Sequence, residues 1–230
     1  MNRRRMLQML PLLVGLSVAP LAVAQTAWQE GLHYERLAEE VPTQGAAGRV
    51  EVVEVFSYGC PFCYQAQPFV DRLKAGLPEG VDLRYVHASF NTAESWPVFQ
   101  RAWLAAEALG IAAKHHQALF EAVWRSGEIR VIDPVTRRLA QPQPTIEDLA
   151  RFYARREPGL SAEAFVARAR AADIDAAMRR SDEDIRRWAI PGTPSFVVNG
   201  RYRTARVRSF DEMMQLVDYL VALEQARTAP

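Results

Sequence analysis

The chain carries two cysteines in 230 residues, and both stand in one stretch, Cys60-Pro61-Phe62-Cys63. Before them, Arg49 to Ser57 is rich in Val and Phe, almost continuously apolar, and too short for an ordinary helix. That pattern predicts a strand covered on both faces. Tyr58-Gly59-Cys60-Pro61 turns the chain, and Pro61 suits the first turn of a helix, where a missing N–H costs nothing; the helix is expected to run to about Leu77, ahead of Pro78 and Gly80. A buried strand that hands directly to a helix fits a chain in which layers cover both sides of a sheet.

The remaining pattern fits that frame. A short extended stretch is expected around His33 to Leu37, a loop over Val41 to Gly48, and a second core strand over Val81 to Phe90. From Trp96 to about Ile190 the period changes to three and four residues, with Phe99, Trp103 and Ala106, then Leu119, Val123 and Trp124, then Ile146, Leu149 and Phe152 on apolar faces. These are amphipathic helices, and their aromatics are assigned to core packing. Asp133-Pro134 and Gln141-Pro142-Gln143-Pro144 interrupt them with a surface loop, after which Thr145 and Asp148 supply a cap and first turn. Past Pro191-Gly192-Thr193-Pro194, Ser195 to Val198, the Asn199-Gly200 turn and Arg201 to about Val207 form a hairpin, and Phe210, Met213, Val217 and Leu220 mark a last helix.

The first residues have a different character. Arg3, Arg4 and Arg5 precede an apolar run from Met6 to Val23, and Ala22-Val23-Ala24 stands before Gln25, the layout of a secretory signal peptide cut after Ala24. An uncleaved anchor is the alternative, but Gln8, Pro11 and Pro20 interrupt the run. The 28 basic and 27 acidic side chains nearly cancel, and removal of the leader takes away three arginines and no acid. A nucleic-acid binder is therefore not expected.

The placement of the cysteine pair carries chemistry. A sulfur at a helix N-terminus faces unpaired N–H groups and the positive end of the helix dipole. A free cysteine is only about 3% thiolate at pH 7, and a downward shift of about two pKa units makes it roughly three-quarters thiolate. Cys60 is the expected nucleophile and Cys63, one turn deeper, the resolving thiol. Three other readings compete. A zinc site needs two further ligands, and the adjacent His115 and His116 point about 100° apart on a helix. A purely structural disulfide closing so short a loop stabilises little. Simple core burial sits poorly with a proline turn at a strand end.

The run Glu54-Val55-Phe56-Ser57-Tyr58-Gly59-Cys60-Pro61-Phe62-Cys63-Tyr64-Gln65, with Gly192-Thr193-Pro194-Ser195-Phe196-Val197-Val198-Asn199-Gly200, closely resembles the DsbA family of periplasmic thiol:disulfide oxidoreductases. The resemblance spans essentially the whole chain after the leader. It implies an α/β, thioredoxin-like fold, residues 25–90 with 176–230, and an inserted all-helical domain over 91–175. It implies a Cys60-Cys63 disulfide donated to reduced exported proteins without a cofactor or metal, reoxidation by a DsbB-type membrane partner, a periplasmic location and a monomer. By the same resemblance Pro194, preceded by Thr193, is the cis-proline beside the reactive pair, with Pro61 and Phe62 completing the motif. Glu54 is then a buried acid relaying protons to or from Cys63, where the residues alone leave a carboxylate at a wet strand edge equally open. His87 is expected to be a satisfied core or edge histidine.

Two departures from the family pattern matter. Phe62 stands where the best-known members carry histidine, which removes a donor to the Cys60 sulfur, and the Arg130 to Pro144 connector is long, which bears on client preference. The rivals are a reductase or isomerase of the same fold and a non-catalytic chaperone or peptide-binding module. Isomerases of this group usually add an N-terminal dimerisation domain, and Gln25 to Gly48 is too short for one.

Overall fold

The computed structural model describes residues 28–228, so the expected leader and its cleavage point lie outside the described residues. β1 (Tyr34–Arg36), β2 (Val50–Phe56), β3 (Val81–His87), β4 (Ser195–Val198) and β5 (Tyr202–Thr204) form one sheet in the order β1-β5-β4-β2-β3. β2 runs parallel to β3 and antiparallel to β4, pairing Glu54 with Tyr85 on one side and Phe196 on the other. Every residue of β2 is buried, as its continuous apolar pattern predicts for a strand with neighbours on both edges and layers on both faces.

Two layers cover the sheet. On one face α1 (Pro61–Gly76) and α7 (Phe210–Thr228) pack Ala66, Val70, Leu73, Leu216, Val217 and Leu220 against Val50, Val52, Phe196 and Val198. On the other lie α2 (Trp96–Ala108), α3 (Ala112–Trp124), α4 (Ile146–Ala154), α5 (Ala162–Ala169) and α6 (Ala172–Arg187), whose apolar faces meet Val53, Val55 and Phe56. The expected core aromatics Phe99, Trp103 and Phe152 are all buried there. Thr145 caps α4 with a full capping box: its hydroxyl accepts from the Asp148 N–H and the Asp148 carboxylate accepts from the Thr145 N–H. α6 runs through position 175, so a boundary drawn between 175 and 176 passes inside a helix.

Three boundaries differ from the sequence pattern, each for a local reason. β3 stops at His87, not Phe90: the Gln100 side chain takes the His87 carbonyl at 2.9 Å and the His87 ring bonds the Ala88 carbonyl of the next residue at 2.8 Å, while Phe90 turns outward and lies over Trp96 with ring centroids 5.3 Å apart. The 133–144 connector is better organised than a plain surface loop. Ile132 bridges Leu139, Asp133 accepts from the N–H groups of Val135 and Thr136, and the Gln143 side chain donates to the carbonyls of Val131 and Ala140. β5 is Tyr202–Thr204 instead of Arg201 to about Val207, because Arg201 belongs to the turn, donating its N–H to the Val198 carbonyl at 3.0 Å, and past Thr204 the chain bonds the turn ahead of β1, Ala205 donating to the His33 carbonyl at 2.8 Å.

That turn places Asn199 at φ 52° and Gly200 at φ 60°, the left-handed region that a primed hairpin turn requires. A β-carbon on Gly200 would lie 1.8 Å from the Val41 carbonyl oxygen, a backbone atom with no freedom to rotate away. Gly200→Ala is therefore expected to cost about 3 kcal/mol from overpacking and left-handed strain together. A urea melt reads this directly, and a loss below about 1 kcal/mol would show that the loop at Val41 gives way instead.

Candidate active site

β2 ends in a turn and α1 begins with Cys60 as its N-cap, Pro61 in the first turn and Cys63 on its buried side. Cys60 is 5% exposed and Cys63 fully buried, whereas Phe62 between them is 59% exposed. Both cysteines are thiols here. The junction is held in place from three directions. The Trp124 indole N–H donates to the Tyr58 carbonyl at 2.8 Å, and His87 Nε2 accepts from the Tyr58 N–H at 3.1 Å. The Gly59 N–H donates to the Ser57 hydroxyl at 3.1 Å. A β-carbon on Gly59 would lie 2.4 Å from the Trp96 indole nitrogen, so only glycine lets that ring lie against the backbone one residue before Cys60.

The loop before β4 comes across to meet the pair. Its Thr193-Pro194 bond is cis, and the Thr193 carbonyl accepts from the Cys60 thiol at 3.3 Å. Cys60 is the N-cap residue of α1, so its sulfur lies at the positive end of the helix dipole, although as a thiol it makes no side-chain capping hydrogen bond. Its pKa is pushed down to about 6, above all by the hydrogen bond from the Cys63 thiol, with the Thr193 side chain and the N–H groups of Cys63 and Phe62 adding to it against the opposing effect of burial. Cys63 moves the other way: burial pushes its pKa up, and the neighbouring Cys60 and Glu54 push it further. One thiol is made acidic and its partner is kept protonated.

Glu54 is completely buried on β2, and neither carboxylate oxygen has a hydrogen-bond partner. Its position between β3 and β4 settles the choice between a wet strand edge and an interior site in favour of the interior. Burial pushes its pKa up to about 8, with Asp71 and Cys60 contributing, so at neutral pH the side chain holds its proton. The structure thus brings Cys60, Cys63, Thr193 and Pro194 together, places Glu54 close enough to Cys63 for their charges to interact, and turns Phe62 outward on the rim.

Several supporting groups do not show in the sequence pattern. The Gln67 amide donates to the Cys63 carbonyl at 3.2 Å, four residues back along α1. Tyr58 reaches 2.9 Å from Nδ1 of His116 inside the aromatic layer of Phe56, Trp103 and Phe120. His87 and His116 are both neutral, their pKa values lowered to about 3 chiefly by burial. His115 pairs instead with Glu157 at 2.8 Å. Among the described residues no group of three or more His, Cys, Asp or Glu is placed to hold a metal ion.

A mixed sheet, a strand that ends in a Cys-Pro-Phe-Cys helix start, and a cis-proline loop against the first sulfur define a thioredoxin-like protein. The chain belongs to the DSBA-like thioredoxin domain family, whose profile matches residues 51–221. It is a thiol:disulfide oxidoreductase. The thiol:disulfide interchange protein DsbA of Azotobacter vinelandii is 33% identical over 201 residues, covering 86% of this chain and 85% of that protein. The protein of the same name from Pseudomonas aeruginosa is 29% identical over 212 residues, covering 91% and 92%. Among solved structures, the oxidoreductase DsbA from Xylella fastidiosa superposes with a TM-score of 0.74 at 30% identity, over 84% of this chain and 96% of that one.

Proposed function

We propose that this enzyme donates a Cys60-Cys63 disulfide to reduced proteins exported to the periplasm. A client thiolate attacks the Cys60 sulfur, forming a client–Cys60 disulfide and releasing Cys63 as the leaving thiolate, which takes a proton. A second client thiolate then attacks the client sulfur and expels Cys60. Two electrons and two protons pass from the client dithiol to the enzyme dithiol, and the pair itself carries them without a cofactor. Glu54, protonated at neutral pH and next to the leaving sulfur, supplies and recovers the Cys63 proton. A membrane partner of the DsbB type returns the dithiol to the disulfide. The same reading takes 25–90 with 176–230 as the thioredoxin-like unit and 91–175 as the inserted helical unit, with α6 shared across the second junction.

The observation that carries the direction of transfer is the Cys60 sulfur at the α1 N-terminus, its pKa lowered to about 6, above a fully buried Cys63 whose pKa is raised. Everything that stabilises a Cys60 thiolate stabilises the dithiol form and so makes the disulfide a stronger oxidant. The exposed Phe62 adds no donor, so the couple is expected to be less oxidising than in a relative with histidine at that position. A redox titration against glutathione, followed by tryptophan fluorescence, tests both statements. The wild type should lie clearly above the potential of a cytosolic thioredoxin, about −270 mV, and Phe62→His should rise by about 30 mV, the equivalent of about 1.4 kcal/mol. A thioredoxin-like potential would make the protein a reductase, and an unchanged Phe62→His would remove the assigned role of the missing donor.

A further inference from the structure

A groove of about 800 Å³ opens directly beside the reactive pair, with Gly59 and Pro61 at its inner end and Trp96 and Trp124 in its wall. Both indole N–H groups are already used, Trp96 on Glu94 at 2.9 Å and Trp124 on Tyr58, so the rings offer the groove only their apolar surfaces. The opposite rim is the chain leading out of α3 into the connector, and it carries Arg125, Arg130 and Arg137. Against these three cations the groove has one acidic side chain, Glu94, whose carboxylate is bonded to Trp96. Arg125 is shared with Glu121 at 3.2 Å and is 77% exposed. Arg130 and Arg137 are exposed and make no ion pair or hydrogen bond through their side chains among the described residues; Arg130 acts on Asp133 only at longer range. The Asp133 carboxylate is occupied by Val135 and Thr136.

The rim is also pre-organised. Glu128 bonds Arg155 and Arg156 on and just beyond α4, the Ile129 N–H donates to the Ala122 carbonyl at 3.0 Å, and Gln143 ties Val131 to Ala140. Two arginines with no ion pair among the described residues thus stand on a braced stretch of backbone that shares a groove with Gly59 and Pro61, on a chain whose charge is otherwise close to balanced. We propose that this groove selects, among reduced client segments, those that carry acidic side chains close to the reacting cysteine. The proposal rests on the disulfide-donor reading above and names the client class for it: an extended acidic segment laid along the tryptophans, its carboxylates meeting Arg130 and Arg137 while its thiolate meets Cys60. Charge pairs on an exposed rim each contribute modestly and act by speeding encounter, so the preference shows in binding as well as in rate, and it weakens with salt.

The test uses three peptides, each with two cysteines, differing only in whether the residues flanking the first cysteine are Asp, Ala or Lys. Oxidation of each by the full mature chain in its disulfide form is followed at low and high salt. Binding of the corresponding cysteine-to-serine peptides is followed by tryptophan fluorescence. The Asp peptide should react and bind about fivefold or more better than the Lys peptide at low salt, with the advantage shrinking at high salt and reversing in the double variant Arg130→Glu, Arg137→Glu. Equal binding of the three peptides, or an order unmoved by the double variant, overturns the inference whatever the rates. Charge-ordered binding without oxidation of any peptide leaves the inference standing and overturns the donor reading alone.

Discussion

Cys63→Ala should accumulate a covalent complex between Cys60 and an added disulfide-containing client, while Cys60→Ser should form none. In the first variant the Cys60 thiolate attacks the client disulfide and expels a client thiolate, but no second enzyme thiol remains to displace the bound chain. In the second the remaining thiol is completely buried and its proton is held by burial and by neighbouring groups, so it does not start an exchange. Both should lose turnover by on the order of a thousandfold or more, as removal of one member of a group that acts as a unit does. Non-reducing gels and mass spectrometry separate the two cases. A stable client complex on Cys60→Ser would reverse the roles assigned to the two sulfurs.

Glu54→Gln should make the oxidised protein more stable at neutral and alkaline pH, the opposite of what removing a specific native group usually does. The carboxyl has a folded pKa of about 8 against 4.5 in the unfolded chain. A group whose pKa is raised by folding costs nothing below its unfolded value, because both states then hold the proton. The cost builds as pH rises from 4.5 towards 8 and levels off above that, reaching about 5 kcal/mol at about 1.4 kcal/mol per unit. The amide has no such slope. Urea melts of the two proteins should coincide near pH 4 and diverge steadily to pH 8. The disulfide form is the one to use, because the thiols titrate in the dithiol form: Cys60, with its folded pKa lowered, contributes stability that is complete above its unfolded pKa and lost as pH falls through about 6. Parallel curves at all pH values would show that Glu54 is not held neutral by its surroundings. A carboxyl retained at this cost is what a proton-handling role requires, and the same variant should slow release of Cys63.

The pattern of single residues carried most of the architecture and less of the site. β2 and the start of α1 were legible because an apolar run and a proline act within a few residues, and the Thr145 cap because its partner stands three positions on. The ends of β3 and β5 were not, because one depends on Gln100 of a later helix taking the His87 carbonyl and the other on bonds from Arg201 and Ala205 to residues outside the strand. The contact between Cys60 and Thr193 joins residues 133 apart in sequence, and the Tyr58 contact with His116 joins residues 58 apart; no local period encodes either. Resemblance to a family pointed to the first, while only the folded chain reveals the second. Glu54 was undecidable from its neighbours alone, since an edge strand and a central strand can share one sequence pattern. The order of the strands decides it.

β2 has neighbours on both edges, layers on both faces and no exposed residue. Amide protons in such a strand exchange with solvent only when the whole domain opens, so its backbone belongs to the slowest part of the molecule. Glu54 lies within this strand, and Cys60 follows directly from its end. The spacing between acid and sulfur is therefore set by the slowest-opening strand of the sheet, while the 130–144 connector, held by its own side-chain bonds, lies outside that strand and can change without moving the electron-carrying pair.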